Sequence, residues 1–172
     1  MPGAYTDLQS YFVDGLYIDN GKVYNKNKIN YTLGGAIKIV NGDCTIFPSQ
    51  KGKLLTDSLI NLVVAKKGSL FQQIQLIEKS VGAKYKDVKL FQRRAIVKLK
   101  GNKTAIIESF EHITLTAFTK DLLELGVIDA LYTDMGAWDE GWYKDSNNKI
   151  IVIGRMKTQT DKQCNWVVLK VN

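Results

Sequence analysis

Arg93-Arg94-Ala95-Ile96-Val97-Lys98-Leu99-Lys100-Gly101-Asn102-Lys103-Thr104-Ala105-Ile106-Ile107-Glu108 is the stretch on which the reading of this fold turns. Two apolar runs, residues 95–99 and 104–107, flank Gly101-Asn102, a pair suited to a tight turn, so the stretch reads as a β-hairpin. The signal recurs upstream. Leu16-Tyr17-Ile18 and Lys22-Val23-Tyr24 flank Asp19-Asn20-Gly21, and residues 36–40 and 44–47 flank Asn41-Gly42. Two helical periodicities interrupt the hairpins. In residues 53–66 the apolar positions Leu55, Leu59, Leu62 and Val63 suit an amphipathic helix ended by Gly68. Leu115, Phe118, Leu122 and Leu125 carry the second, with Thr114 as N-cap and Gly126 as C-cap. Residues 149–153 and 166–171 read as closing strands, the last able to pair within the chain or with another copy. The expected class is therefore α+β, with a mixed or largely antiparallel sheet built of hairpins and two main helices.

Composition limits the functions open to such a fold. At 172 residues, 45% apolar and 24% charged, the chain is expected to form one domain with a real core. It has no run of 18 apolar residues, so no membrane span is expected. Residues 1–10 lack the basic start and apolar stretch of a secretory leader. The net charge of +7 comes from 24 basic residues, of which only Arg93, Arg94 and Arg155 are arginine. The lysines are scattered, which reads as a solvated surface; no Arg-rich stripe marks a nucleic-acid partner. Cys44 and Cys164 lie far apart and His112 is the one histidine, so no Cys/His zinc set can be assembled. The cysteines read as small apolar residues, with a disulfide between them left open. Asn30-Tyr31-Thr32 and Asn102-Lys103-Thr104 match the glycosylation sequon, a match frequent by chance.

The chemistry concentrates after the apolar run at residues 127–132. That run reads as a buried strand ending at Asp134. A small-residue turn then brings Trp138, Asp139, Glu140 and Trp142 within eight residues. Loops at strand ends are where a rigid scaffold presents chemistry, and tryptophans beside carboxylates suit a sugar ring.

These elements in this order resemble the phosphodiester glycosidase-like family, that of the lysosomal uncovering enzyme, and most of all its short bacterial members. The likeness rests on 93–99, on 104–109, on the helix reaching Leu125-Gly126, and on Asp129-Ala130-Leu131-Tyr132-Thr133-Asp134-Met135-Gly136. Pro2-Gly3-Ala4-Tyr5 with Gly15-Leu16-Tyr17-Ile18, and Gly68-Ser69-Leu70-Phe71-Gln72-Gln73, extend it over nearly all the chain to about Asp145. The resemblance implies a single domain over residues 1–172 that begins inside the family's first motif, without upstream strands. It implies an extracytoplasmic location, periplasmic or secreted, and a glycan or sugar-phosphate ligand. Arg93 falls on the family arginine and Asp134 on the family aspartate. The family's glycine-rich loop is altered: Met135, Ala137 and Trp138 stand where Gly, Gly and Ser are usual. Consecutive glycines let backbone N–H groups close on an anion, and Met and Trp crowd that approach.

Cleaving a sugar phosphodiester calls for carboxylates at the anomeric centre and a fork-shaped cation on phosphate. Asp134 is the first carboxylate, as a base or as a ligand for a divalent metal; a turn-capping Asp is the structural alternative. Glu108 is the second, or else an ion-pair partner of an arginine. Arg93 and Arg94 are the substrate-binding cations; adjacent on a strand, they face opposite ways, so only one can enter a given site, and the resemblance favours Arg93. An exposed pair on a sheet edge is the alternative. The resemblance implies that Gln73 and Gly136 contact substrate; Trp138, with Trp142, is expected to form a sugar platform or else to cover the sheet. Asp139 and Glu140 are expected to face water, and His112 to sit at a helix entry. Two functions stay open: a hydrolase of glycosyl phosphodiesters or related cell-envelope glycans, and a non-catalytic glycan- or phosphate-binding module on the same fold.

Overall fold

The computed structural model describes residues 1–135, 138–155 and 160–168. In chain order the elements are β1 (Tyr17–Asp19), β2 (Lys22–Val23), β3 (Gly35–Val40), β4 (Asp43–Pro48), α1 (Asp57–Ala65), β5 (Ser69–Gln73), β6 (Gln75–Glu78) and β7 (Val81–Gly82). There follow β8 (Arg94–Lys98), β9 (Thr104–Glu108), α2 (Leu115–Glu124), β10 (Asp129–Tyr132), β11 (Gly141–Lys144) and β12 (Ile150–Ile153). Two five-stranded sheets form, ordered β2-β1-β5-β3-β4 and β7-β6-β10-β8-β9, with β11-β12 as a separate hairpin. Every pairing is antiparallel. The α+β class and the hairpin construction expected from the sequence are those observed.

Alternation along the strands divides the core into layers. Ala36, Leu16, Ile18 and Leu70 turn outward from the first sheet to meet Ile60 and Val63 of α1. Ile37, Ile46 and Phe71 turn inward and meet Ile96 and Leu131 of the second sheet. Ala95, Val97, Ala130 and Tyr132 face the other way and pack on Leu115, Phe118 and Leu122 of α2. The result is a helix–sheet–sheet–helix stack.

The Asn-Gly turns act as read. Asn41 and Gly42 take φ of 54° and 79°, the pair of left-handed residues that joins two right-twisted strands. The β6–β7 turn does the same through Lys79 and Ser80, with φ of 48° and 63°, and offers no such sequence signal. Thr56 and Thr114 cap α1 and α2, accepting from Leu59 N at 3.2 Å and Ala117 N at 3.1 Å. The helix expected over residues 53–66 thus begins later, because the Thr56 side chain satisfies one of its first free N–H groups, that of Leu59. Leu62 of α1 and Leu125 after α2 are exposed rather than buried. Gly126 ends α2 at φ +77° as expected. At α1 the left-handed residue is Lys67, and Gly68 N closes on Val63 O at 2.8 Å. Gly68 is required for space: a Cβ there would lie 2.6 Å from Ile39 O.

Residues 166–168 of the expected last strand carry no strand, and 169–171 lie outside the described residues. Val167 instead meets the start of the chain, its N donating to Met1 O at 2.8 Å. Cys44 is buried between the sheets and Cys164 is exposed, and they are not joined.

Candidate functional site

Two crossings bring the candidate residues to one end of the stack. Chain direction reverses between β10 and its neighbour β8, so the last residues of β10 lie beside the first of β8: Tyr132 pairs with Ala95. The last residue of β9, Glu108, pairs with Arg94. The β5–β6 passage from one sheet to the other occurs at Ile74, which places Gln73 nearby: Tyr132 N donates to Ile74 O at 2.9 Å.

Asp134 sits just beyond β10 and is 7% exposed. Its Oδ2 accepts from Thr6 N at 3.0 Å and from Trp138 Nε1 at 3.2 Å. Its own N donates to Gly3 O at 3.2 Å, and Gln73 Nε2 donates to that same oxygen at 3.1 Å. Gln73 and Asp134 therefore converge on the segment Gly3-Ala4-Tyr5-Thr6. Asn165 holds this segment from the other side, accepting from Ala4 N at 2.7 Å and donating to Ala4 O at 3.0 Å. Burial pushes the Asp134 carboxyl up to about 6, against the opposing pull of the hydrogen bonds from Thr6 and Trp138. Burial and then the adjacent Asp134 push the Tyr5 hydroxyl up as well.

The arginines diverge as strand geometry requires. Both are buried, which removes the sheet-edge alternative. Arg93 faces the α2 side and its guanidinium is committed within the fold. Nε donates to Ile113 O at 2.9 Å, Nη1 to the Tyr132 hydroxyl at 3.1 Å, and Nη2 to Asp87 at 2.6 Å and Lys89 O at 2.7 Å. Arg94 faces the other way and is fully buried. Its Nε donates to Glu108 Oε2 at 2.6 Å and its Nη2 to Asp139 O at 2.7 Å, while Nη1 has no hydrogen-bond partner among the described residues. Glu108 is thus an ion-pair partner of Arg94, and its other oxygen accepts from Gln92 at 2.9 Å.

The two tryptophans part company. Trp138 is buried at 3% exposure, its indole N–H spent on Asp134, while Trp142 on β11 is 54% exposed. Asp139, expected in water, is buried, with Oδ2 accepting from Arg155 N at 2.8 Å. Glu140 is half-buried, and His112 is exposed at the entry to α2. Gly136 lies outside the described residues. Among the described residues no group of three or more His, Cys, Asp and Glu side chains is arranged to hold a metal ion. No helix among them is long and apolar enough to cross a membrane. A cleft of about 610 Å³ opens elsewhere, between Gly34 and Pro48 on one side and Ile74, Gln75, Val81 and Tyr85 on the other; Gln73, Arg94, Glu108 and Asp134 do not line it.

Sequence reasoning missed Tyr5, Thr6 and Asn165 as neighbours of Asp134. Thr6 is 128 residues from Asp134 and Asn165 is 161 from Ala4, and neither sits in a motif.

No family model and no curated protein matches the sequence. Among solved structures the fold is similar to that of the zebrafish N-acetylglucosamine-1-phosphodiester alpha-N-acetylglucosaminidase catalytic domain, auto-inhibited by its pro-peptide. The TM-score is 0.56 at 16% identity, over 79% of this chain and 50% of that chain. This chain spans half the length of the chain it matches. At that identity the likeness speaks for the fold alone, which resembles that of a phosphodiester glycosidase catalytic domain.

Proposed function

We propose that this protein is a hydrolase of glycosyl phosphodiesters, or of related glycans of the cell envelope or outside the cell, with Asp134 as its base. One observation carries the reading. Asp134 is a buried carboxyl whose ordinary pKa is raised to about 6, placed at a strand end of this fold. A base poised near neutrality is ionised at pH 7 and still basic enough to take a proton from an attacking water. One such group suits this substrate class, because a phosphate leaves as a stable anion and needs charge compensation more than a proton. The reading does not draw on Arg93 for that compensation, since Arg93 would have to give up an existing partner. It gives Glu108 no proton-transfer step either, since Arg94 holds it.

The test is the pH dependence of kcat/KM on a chromogenic glycosyl phosphodiester. A base must be ionised to act, so the rate falls about tenfold per pH unit below about 6 and levels above it. A rate that instead rises as pH falls through that range would contradict a base at this position.

A second reading, a non-catalytic glycan-binding module, is favoured by a different observation. Gln73, Arg93 and Trp138 are all satisfied internally, whereas Trp142 offers an exposed indole face. On this reading Trp142→Ala abolishes glycan binding and changes stability by less than about 0.5 kcal/mol, as surface substitutions do. Isothermal titration against a glycan panel, with unfolding curves of both proteins, checks it. Undiminished binding by the variant would remove Trp142 from the site.

A further inference from the structure

We propose that Arg94 is the positioning residue for Asp134, gripping both ends of the loop that carries it. The inference rests on the reading of Asp134 given above. Three hydrogen bonds define the grip. At the near end of the loop, Thr133 donates to Arg94 O twice, from N at 3.0 Å and from Oγ1 at 3.2 Å. At the far end, the side chain of the same arginine donates from Nη2 to Asp139 O at 2.7 Å. Asp134 and Trp138 thus lie between two points, Thr133 and Asp139, held by a single residue of the neighbouring strand. Trp138, one step inside the far anchor, then donates its indole N–H to Asp134 Oδ2.

The geometry needs an arginine. Nε is held by Glu108 at 2.6 Å, which fixes the plane of the guanidinium and aims Nη2 at Asp139. A lysine ammonium carries the same charge and lacks the fork to meet Glu108 and the Asp139 carbonyl in fixed directions. A buried ion pair is weak evidence of stabilisation in itself, and setting one arrangement is the better-attested use of such pairs. Asp139 is secured a second time by Arg155 N on its Oδ2. Gly154 lies so close that a Cβ there would sit 2.1 Å from Asp139 O. The far anchor is therefore a fixed point from which Arg94 can hold the loop down.

Water exclusion over Asp134 depends on that hold. Among the described residues, the groups facing its carboxyl are Thr6 and Tyr5 from the first segment of the chain and Trp138 from the loop itself. Tyr132, at the end of β10, is close enough for Asp134 to act on its hydroxyl, and Arg93 bonds that hydroxyl from the far side. No cation contacts Asp134 among these. Its protonation therefore follows from burial, and loosening the loop brings in water.

The experiment is a pH titration of the Asp134 side-chain carboxyl by carbon-13 NMR, in wild type and in Arg94→Lys, with circular dichroism to confirm the fold. The Asp134→Asn spectrum assigns the resonance. In Arg94→Lys the midpoint is expected to fall by about one unit or more, toward the ordinary carboxylate range. A folded Arg94→Lys protein with an unmoved midpoint overturns the proposal. Should that variant fail to fold, Glu108→Gln removes the charge that fixes the guanidinium and leaves only a neutral, weaker acceptor for Nε, and is expected to shift the midpoint in the same direction by less. An unmoved midpoint there overturns the proposal equally. A wild-type midpoint already near 4 would instead overturn the reading of Asp134 itself.

Discussion

Asp134→Asn yields a protein that is more stable than wild type at pH 7, by about 2 kcal/mol, and without hydrolytic activity. The stability follows from the direction of the Asp134 shift. Its carboxyl in the folded state is raised from 3.8 to about 6, so the fold binds the proton more tightly than the unfolded chain does. The stability that protonation confers is fully present below about 4, is lost as pH rises through about 6, and stays lost above. Asparagine keeps a neutral oxygen that can accept from Thr6 N and Trp138 Nε1, and carries no charge into the buried site. Urea unfolding should therefore show a higher midpoint for the variant at pH 7 and a difference that closes toward pH 4. A turn-capping aspartate would behave the other way, its removal costing about 1 kcal/mol at pH 7. A residue that destabilises the fold where it stands, and whose loss removes activity, is a functional residue held at a cost.

Trp138→Ala costs about 3–5 kcal/mol, the usual result of emptying a buried aromatic site. The indole is 3% exposed and is the group that closes the loop over Asp134. Lost glycan binding in this variant would report loss of structure as readily as loss of contact. Trp138→Phe separates the two. It preserves most of the buried volume and removes the N–H that favours the ionised carboxylate, so Asp134 titrates higher still. Thermal unfolding of both variants and a carboxyl titration of the second check this. An alanine variant as stable as wild type would show that Trp138 is not the closing group.

The three hairpins marked by Asn and Gly, the Thr114 cap of α2 and the α+β class were legible because each is local. Asn41-Gly42 forces its turn from within, and Thr114 caps from within. The β5–β6 passage was not legible. Gln72, Gln73 and Gln75 interrupt the apolar pattern there, and their burial makes sense only through distant partners. Gln72 Oε1, for example, accepts from Leu16 N at 2.9 Å, and its Nε2 donates to Asn30 O at 2.8 Å. The candidate site divided along the same line. Asp134 was visible as a carboxylate ending an apolar strand. Whether Arg93 or Arg94 turned toward it depended on which face met α2, and sequence alternation gives the contrast between faces without their identity. Trp138 and Trp142 are four residues apart and alike in sequence context, yet Asp134 draws one inward and the β11–β12 hairpin leaves the other out.

The central claim is that Asp134 is the working group of a hydrolytic site on this fold. It is tested most directly by turnover of a panel of chromogenic sugar phosphodiesters at pH 7, comparing wild type with Asp134→Asn, with unfolding curves recorded on the same samples. The account predicts hydrolysis of at least one substrate by wild type and none by the variant, which unfolds at a higher urea concentration. Hydrolysis at an unchanged rate by the variant, or none by folded wild type on any substrate, would contradict it.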